Sequence, residues 1–150
     1  MMLMNQEIEE IVKAMQAHGK RVTPQRIAIF KFLRACKSHP TAHEIYAHVR
    51  REYPTITIST VYNALEMLVE IGMAKELGFS GLGSRYEANT RPHINLVCQI
   101  CGRIEDVDDV PLMEEMRDDI KGRSDFEILD QRTEFYGLCG KCRKAPGKGR

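Results

Sequence analysis

Ser59-Thr60-Val61-Tyr62-Asn63-Ala64-Leu65-Glu66-Met67-Leu68-Val69-Glu70-Ile71-Gly72 is the stretch on which the fold turns. Val61, Leu65, Leu68 and Ile71 recur at helical spacing and form one apolar stripe. Ser59 is placed to cap this helix and Gly72 to end it. After Gly72 the period changes. Met73 to Leu77 reads as a strand, Gly78, Gly81 and Gly83 as a loose turn, and Ser84 to Ala88 as the returning strand.

Upstream, Ile8, Ile11, Val12 and Met15 predict a first helix ending near Gly19. Thr23 and Pro24 open a second helix, because Thr caps and Pro suits the first turn. Its stripe is Ile27, Phe30 and Leu33, with Ile29 beside them, and His39-Pro40 breaks it. Thr41 and Glu44 have capping-box spacing for a third helix, which Ile45 and Val49 continue as far as Pro54. Three helices followed by a two-stranded hairpin is the winged-helix arrangement. The last helix before the hairpin is then the one that enters a DNA groove.

Downstream, Cys98-Gln-Ile-Cys101 and Cys139-Gly-Lys-Cys142 supply four thiols in two pairs. Such a set closes a tetrahedral zinc site with no open position. Gly102 and Gly140 offer the permissive backbone a tight knuckle needs. The gap between the pairs exceeds that of a common zinc ribbon, so the metal would tie separate elements together. The competing readings are two disulfides or idle thiols. Cys36, the fifth cysteine, reads as a small core residue late in the second helix. The expected elements are strands at 93–97 and 103–107, a helix from Pro111 with Leu112, Met116 and Ile120 on one stripe, and a strand over 132–138. That is a small α/β domain with too little apolar surface to stand alone, so it needs zinc and a partner subunit. The fold class is therefore α+β: a winged-helix DNA-binding domain over 1–88, a hinge at 89–92, and a dimerisation and metal-binding domain over 93–150.

The 150 residues carry a formal net charge of +1, unevenly spread. Residues 13–51 hold nine Lys or Arg and one acid, a net +8; residues 105–119 hold eight acids and one base, a net −7. The basic half suits an anionic partner. No run of 18 apolar residues exists, which excludes a helical membrane span. Met1 to Met4 is too short and too weakly apolar for a signal peptide, so the expected location is the cytoplasm.

Arg21-Val-Thr-Pro-Gln-Arg26, His39-Pro-Thr-Ala-His-Glu-Ile-Tyr46, Ser59-Thr-Val-Tyr-Asn-Ala-Leu65, Ser84-Arg-Tyr-Glu87, His93-Ile-Asn-Leu-Val-Cys98 and both cysteine pairs resemble, in this order, the ferric uptake regulator (Fur) family. The resemblance runs from about residue 8 to 143. It implies a homodimeric, metal-responsive transcription factor, usually a repressor, with an N-terminal winged helix and a C-terminal dimerisation domain.

The DNA reading also stands on the residues. Opposite the apolar stripe, the helix from Thr60 to Ile71 presents Thr60, Tyr62, Asn63 and Glu66. Asn pairs bidentately with adenine, and Tyr reaches a thymine methyl or a phosphate. Lys20, Arg21, Gln25 and Arg26 suit phosphate contacts, which position without specifying. The bland alternative for the basic residues is a solvated face. In the family, Tyr at position 62 and basic residues near 20–21 are typical DNA contacts.

The resemblance further implies a regulatory metal held by His39, Glu87, His93, Asn95 and Asp106. Imidazole and carboxylate ligands suit exchangeable Fe(II), Mn(II) or Zn(II). A metal between two domains would fix their angle, so that two winged helices match two half-sites. Taken singly, His39 reads as a helix-terminal charge and His93 as a strand-surface residue; His18, His43 and His48 are surface residues. The family usually has His where Asn95 stands, and Asn is a weaker, neutral ligand. A further carboxylate/His site of some members is incomplete, with Gln131 and Arg132 near the expected His. Asp106 in place of Glu, and Asn63 after Tyr62, resemble the peroxide-sensing (PerR) branch. There, bound Fe(II) reacts with hydrogen peroxide and oxidises a ligating His. Alternatives are an iron-, manganese- or zinc-level sensor of the same family, a metalloenzyme, and a zinc-stabilised adaptor or RNA-binding module. Against the enzyme, no nucleophile or general base stands out; against RNA, no aromatic-rich strand offers a stacking platform.

Overall fold

The computed structural model describes residues 2–79, 83–108 and 110–145, with side chains from residue 5 onward and Phe79 excepted. Gly81, expected in the hairpin turn, lies outside the described residues. The chain divides into two compact units, residues 1–90 and 91–150.

The first unit begins with α1 (Met2–Ala17), α2 (Pro24–Ala35), α3 (Ala42–Val49) and α4 (Ile58–Glu70). Each boundary has a local cause. Thr23 accepts the Arg26 N–H at 3.2 Å with Pro24 in the first turn, so α2 starts as its sequence predicts. At α3, Thr41 Oγ1 accepts the Glu44 N–H at 3.2 Å while Glu44 Oε2 accepts the Thr41 N–H at 2.7 Å. The cap of α4 is Thr57, not Ser59. Thr57 has extended backbone and accepts the Thr60 N–H at 3.2 Å, which leaves Ser59 inside the first turn. Gly72 takes a φ of 73°, the left-handed conformation that ends the helix.

Ile11, Met15, Ile29, Phe30, Leu33, Ile45, Val49, Val61, Leu65, Leu68 and Ile71 are all buried in one core. The hairpin β1 (Lys75–Phe79) and β2 (Gly83–Glu87) closes over it, antiparallel from Lys75 opposite Glu87 to Phe79 opposite Gly83. The first strand starts at Lys75, two residues later than expected, because Met73 and Ala74 still bond back to the Leu68 carbonyl. Tyr86 and Ala88 add their side chains to the core. Cys36 is not a core residue: it is half-exposed at the C-cap of α2, with its Sγ 3.1 Å from Ser38 Oγ.

The second unit contains β3 (Ile94–Cys98), β4 (Ile104–Val107), α5 (Pro111–Arg123), β5 (Thr133–Gly137) and α6 (Gly140–Lys144). Its sheet has the order β4-β3-β5, with β3 antiparallel to β4 and parallel to β5. The parallel pairing brings the chain after β5 to the end of β3. Among the described residues its buried apolar side chains are few: Val97, Ile104 and Met113, with Cys98. Leu112, Met116 and Ile120 form an exposed stripe on α5, and Met113 is the residue that turns inward. Phe126, Leu129, Phe135 and Leu138 are at least half exposed. Among the described residues, no helix is long and apolar enough to cross a membrane.

Candidate metal centres and nucleic-acid interface

The parallel β3–β5 pairing explains the cysteine cluster. Cys98 ends β3, Gly137 lies opposite it on β5, and Cys139 follows two residues later. The thiol sulfurs of Cys98, Cys101, Cys139 and Cys142 all lie within 4.8 Å of one another. Cys101 Sγ and Cys139 Sγ are 3.8 Å apart, and all four thiols are unbridged, which corrects the disulfide alternative. Zn–S bonds of about 2.3 Å in a tetrahedron give S···S edges of about 3.8 Å, so the spacing fits zinc directly.

Gly102 has a φ of 73° and donates its N–H to the Cys98 carbonyl at 2.9 Å, closing the first knuckle. Gly140 needs no left-handed backbone: it opens α6, with Cys139 as the N-cap. Backbone N–H groups of Cys101 and then Cys139 point at the Cys98 sulfur and hold its thiol down to about 6. Burial, with the neighbouring thiols, pushes Cys142 up to about 12. Four sulfurs this close resist ionising together, and a divalent cation is what relieves that repulsion.

Two further groups of donors lie one in each unit. In the first, His39 follows the end of α2 in a left-handed conformation (φ 53°). This conformation costs a non-glycine residue about 1–2 kcal/mol. Strand β2 grips the loop: Tyr86 N–H donates to the Pro40 carbonyl at 3.0 Å, and Arg85 Nη1 donates to the His39 carbonyl at 3.3 Å. Glu87 ends the strand, and its Oε2 lies 3.0 Å from His39 Nε2. An ionised carboxylate only accepts, so with Glu87 ionised the His39 Nε2 is the donor.

In the second unit His93 immediately precedes β3. Its Nδ1 donates to the Arg91 carbonyl at 2.8 Å, which in a neutral ring leaves the lone pair on Nε2. His93 Nε2 is 3.8 Å from Asp106 Oδ1. Asn95 faces Asp106 across the β3–β4 register. The Asn95 Oδ1 atom is buried with no hydrogen-bond partner, a situation that costs about 1–3 kcal/mol. A cation taking that oxygen as a ligand would offset the cost.

Among the described residues the buried polar or charged side chains are His39, Glu87, His93 and Asn95. His39 is therefore no helix-terminal charge and His93 no strand-surface residue. The imidazole and carboxylate in the first unit, and the imidazole, amide and carboxylate in the second, are each of donor types suited to Fe(II) or Mn(II). His18, His43 and His48 are exposed, as expected.

On α4, Tyr62 and Asn63 are exposed opposite the buried stripe, and Glu66 beside them is exposed too. The His43 ring of α3 meets Tyr62 edge-on, with centroids 6.3 Å apart. Thr60 is half-buried, with its hydroxyl 2.9 Å from Thr57 Oγ1. Arg21 is exposed; Gln25 and Arg26 are half-buried, and Arg26 Nη1 donates to the Arg21 carbonyl at 2.6 Å. Lys20 holds a partner the sequence reading did not include. Its Nζ lies 2.7 Å from both carboxylate oxygens of Glu70, at the far end of α4. Arg85, two residues before Glu87 and on the same face of β2, makes its contact with the His39 carbonyl outside the expected ligand set.

The ferric uptake regulator family profile matches residues 17–136. The chain is 37% identical over 138 residues to the peroxide-responsive repressor PerR of Staphylococcus epidermidis, covering 92% of this chain and 91% of that one. It is similar in structure to the Campylobacter jejuni peroxide stress regulator, with a TM-score of 0.74 and 28% identity over 95% of this chain and 100% of that one. It also shares its fold with the Helicobacter pylori ferric uptake regulator, with a TM-score of 0.80 and 21% identity over 96% of each chain.

Proposed function

This chain belongs to the ferric uptake regulator family, and on that premise we propose that it is a metal-dependent, peroxide-responsive transcriptional repressor acting as a homodimer on duplex DNA. One observation carries the reading. The buried polar side chains among the described residues are His39, Glu87, His93 and Asn95, and all four belong to the expected ligand set. Of these, the Asn95 oxygen has no hydrogen-bond partner, and a cation would offset the cost of burying it.

His39 and Glu87 from the winged-helix unit, with His93 and Asp106 from the second, hold one Fe(II) or Mn(II), and Asn95 adds a neutral oxygen. Cys98, Cys101, Cys139 and Cys142 hold a structural zinc, compatible with their mutual spacing. The exposed apolar side chains of the second unit, Leu112, Met116, Ile120 and Phe135 among them, suit a second copy of the chain. The winged-helix domain takes in residues 1–88, the hinge 89–92 and the dimerisation domain 93–150. Thr60, Tyr62 and Asn63 face base edges, while Lys20, Arg21, Gln25 and Arg26 contact phosphates. The protein works in the cytoplasm, and its role is binding rather than turnover.

Iron held by these residues would supply one-electron reduction of peroxide. Over the whole reaction a ring C–H of His39 or His93 and hydrogen peroxide would give a ring C–OH and water, the electron returning to iron as the ring loses its hydrogen. The altered imidazole would ligate poorly, and DNA would be released.

The test is a mobility-shift measurement on a duplex selected from a random pool by the Mn(II)-loaded protein. Binding that needs Mn(II) and is lost in His39→Ala and His93→Ala supports the reading. Equal binding by the metal-free protein contradicts it. A second reading, a sensor of metal level alone, draws on Asn95, whose neutral oxygen sets a weaker site than a second imidazole would.

A further inference from the structure

We propose that Arg85 is a positioning residue for the regulatory metal, acting through the backbone of His39. The proposal rests on the reading of His39 as a ligand.

His39 is, among the described residues, the one non-glycine with a positive φ. A left-handed histidine stays in place only when its surroundings fix both its backbone and its ring. Three consecutive residues of β2 do this. Glu87 Oε2 meets the ring at 3.0 Å. Tyr86 N–H ties the next residue through the Pro40 carbonyl at 3.0 Å. Arg85 Nη1 reaches the carbonyl of His39 itself at 3.3 Å. Arg85 and Glu87 lie two apart on a strand, so one face of β2 grips the ring and the carbonyl together.

Arg85 is anchored in turn. Its Nη1 lies 3.8 Å from Glu44 Oε2. That same oxygen accepts the Thr41 N–H in the capping box of α3. The guanidinium thus bridges the first turn of α3 and the turn that carries His39. The Arg85 side chain is about one-fifth exposed and that of Glu44 more than half, so the ion pair is the weaker contact and the bond to the His39 carbonyl the better shielded. Without Arg85 the His39 carbonyl loses this donor, the left-handed turn relaxes toward commoner backbone, and the ring leaves the position opposite Glu87. Zinc at the four cysteines would be untouched, since Arg85 is remote from them in sequence and belongs to the other unit.

The experiment titrates the full-length, zinc-loaded protein with Mn(II), reading free Mn(II) by electron paramagnetic resonance. Arg85→Met keeps the aliphatic stem and removes the donor. It should weaken Mn(II) binding by about tenfold, the usual scale for a group that orients a ligand. The melting temperature before Mn(II) is added should stay near that of the parent. Arg85→Lys, which retains a donor, should recover part of the affinity. If Arg85→Met does not fold, Arg85→Gln, with an amide too short to reach the carbonyl, serves instead. Parent-like Mn(II) affinity in the donor-less variant overturns the proposal. So does a loss of melting temperature in both variants that matches the loss of affinity, because that marks a general folding role. His39→Ala is measured in parallel. If it binds Mn(II) like the parent, the reading of His39 as ligand fails. If it loses Mn(II) while Arg85→Met does not, only the Arg85 proposal fails.

Discussion

His39 Nε2 stands 3.0 Å from Glu87 Oε2, with both side chains buried and both in the first compact unit. Two expected ligands are thus already paired before any cation arrives. A metal that takes both atoms must replace this hydrogen bond, the proton of a neutral ring moving from Nε2 to Nδ1.

The same pair predicts a separation of stability from binding. Glu87→Gln keeps an acceptor for the His39 ring and should leave unfolding nearly unchanged, yet weaken Mn(II) by at least about tenfold. Glu87→Ala leaves the buried ring nitrogen without its acceptor and should also cost about 1–3 kcal/mol. Denaturant unfolding of the zinc-loaded protein, with and without Mn(II), checks both.

Loss of any one of Cys98, Cys101, Cys139 and Cys142 should remove zinc and, with it, most of the order in the second unit. The physical reason is the small core there, in which Val97, Ile104 and Met113 are the buried apolar side chains beside Cys98 among the described residues. A core this size does not hold a domain unaided. Cys101→Ser is the mildest probe, and zinc content with sedimentation reads the outcome. A zinc-free variant that remains a folded dimer would contradict this.

Lys20 and Glu70 form an exposed pair at 2.7 Å, so part of the Lys20 charge is engaged before DNA arrives. Lys20→Ala should weaken all duplexes alike and reduce the salt slope by about one. Glu70→Gln should strengthen all duplexes alike, because Lys20 no longer exchanges a carboxylate for a phosphate. Tyr62→Ala should behave differently, losing about 1–3 kcal/mol on the selected operator and little elsewhere. Binding measured over a range of salt concentrations, on operator and unrelated duplexes, distinguishes the three.

Much of the fold is legible in the sequence because its signals are local. The cap at Thr23, the box at Thr41 and Glu44, and the stop at Gly72 each depend on a few neighbouring residues, and the apolar stripes of α2 and α4 follow the helical period. The cap of α4 was misplaced because Thr57, Ser59 and Thr60 are all competent hydroxyls, and only backbone geometry selects Thr57. The α5 stripe is legible as well, but not what covers it. Leu112, Met116 and Ile120 have helical spacing, but spacing does not say whether the surface they face belongs to the same chain. The left-handed His39, the parallel β3–β5 pairing and the Lys20–Glu70 and Arg85–His39 contacts are non-local, and neither period nor motif announces them. His39, Glu87, His93, Asn95 and Asp106 could be collected from sequence only through family resemblance.

Peroxide treatment of the Fe(II) and Mn(II) forms, followed by DNA binding and peptide masses on the same samples, bears most directly on the proposed function. The Fe(II) form should release its duplex as the peptide carrying His39 or His93 gains one oxygen. The zinc thiolates should stay unmodified, and the Mn(II) form should keep both its DNA and its mass, because Mn(II) does not readily give peroxide an electron. An Fe(II) form that keeps its DNA, with no oxygen added at His39 or His93, would contradict peroxide sensing and leave a sensor of metal level.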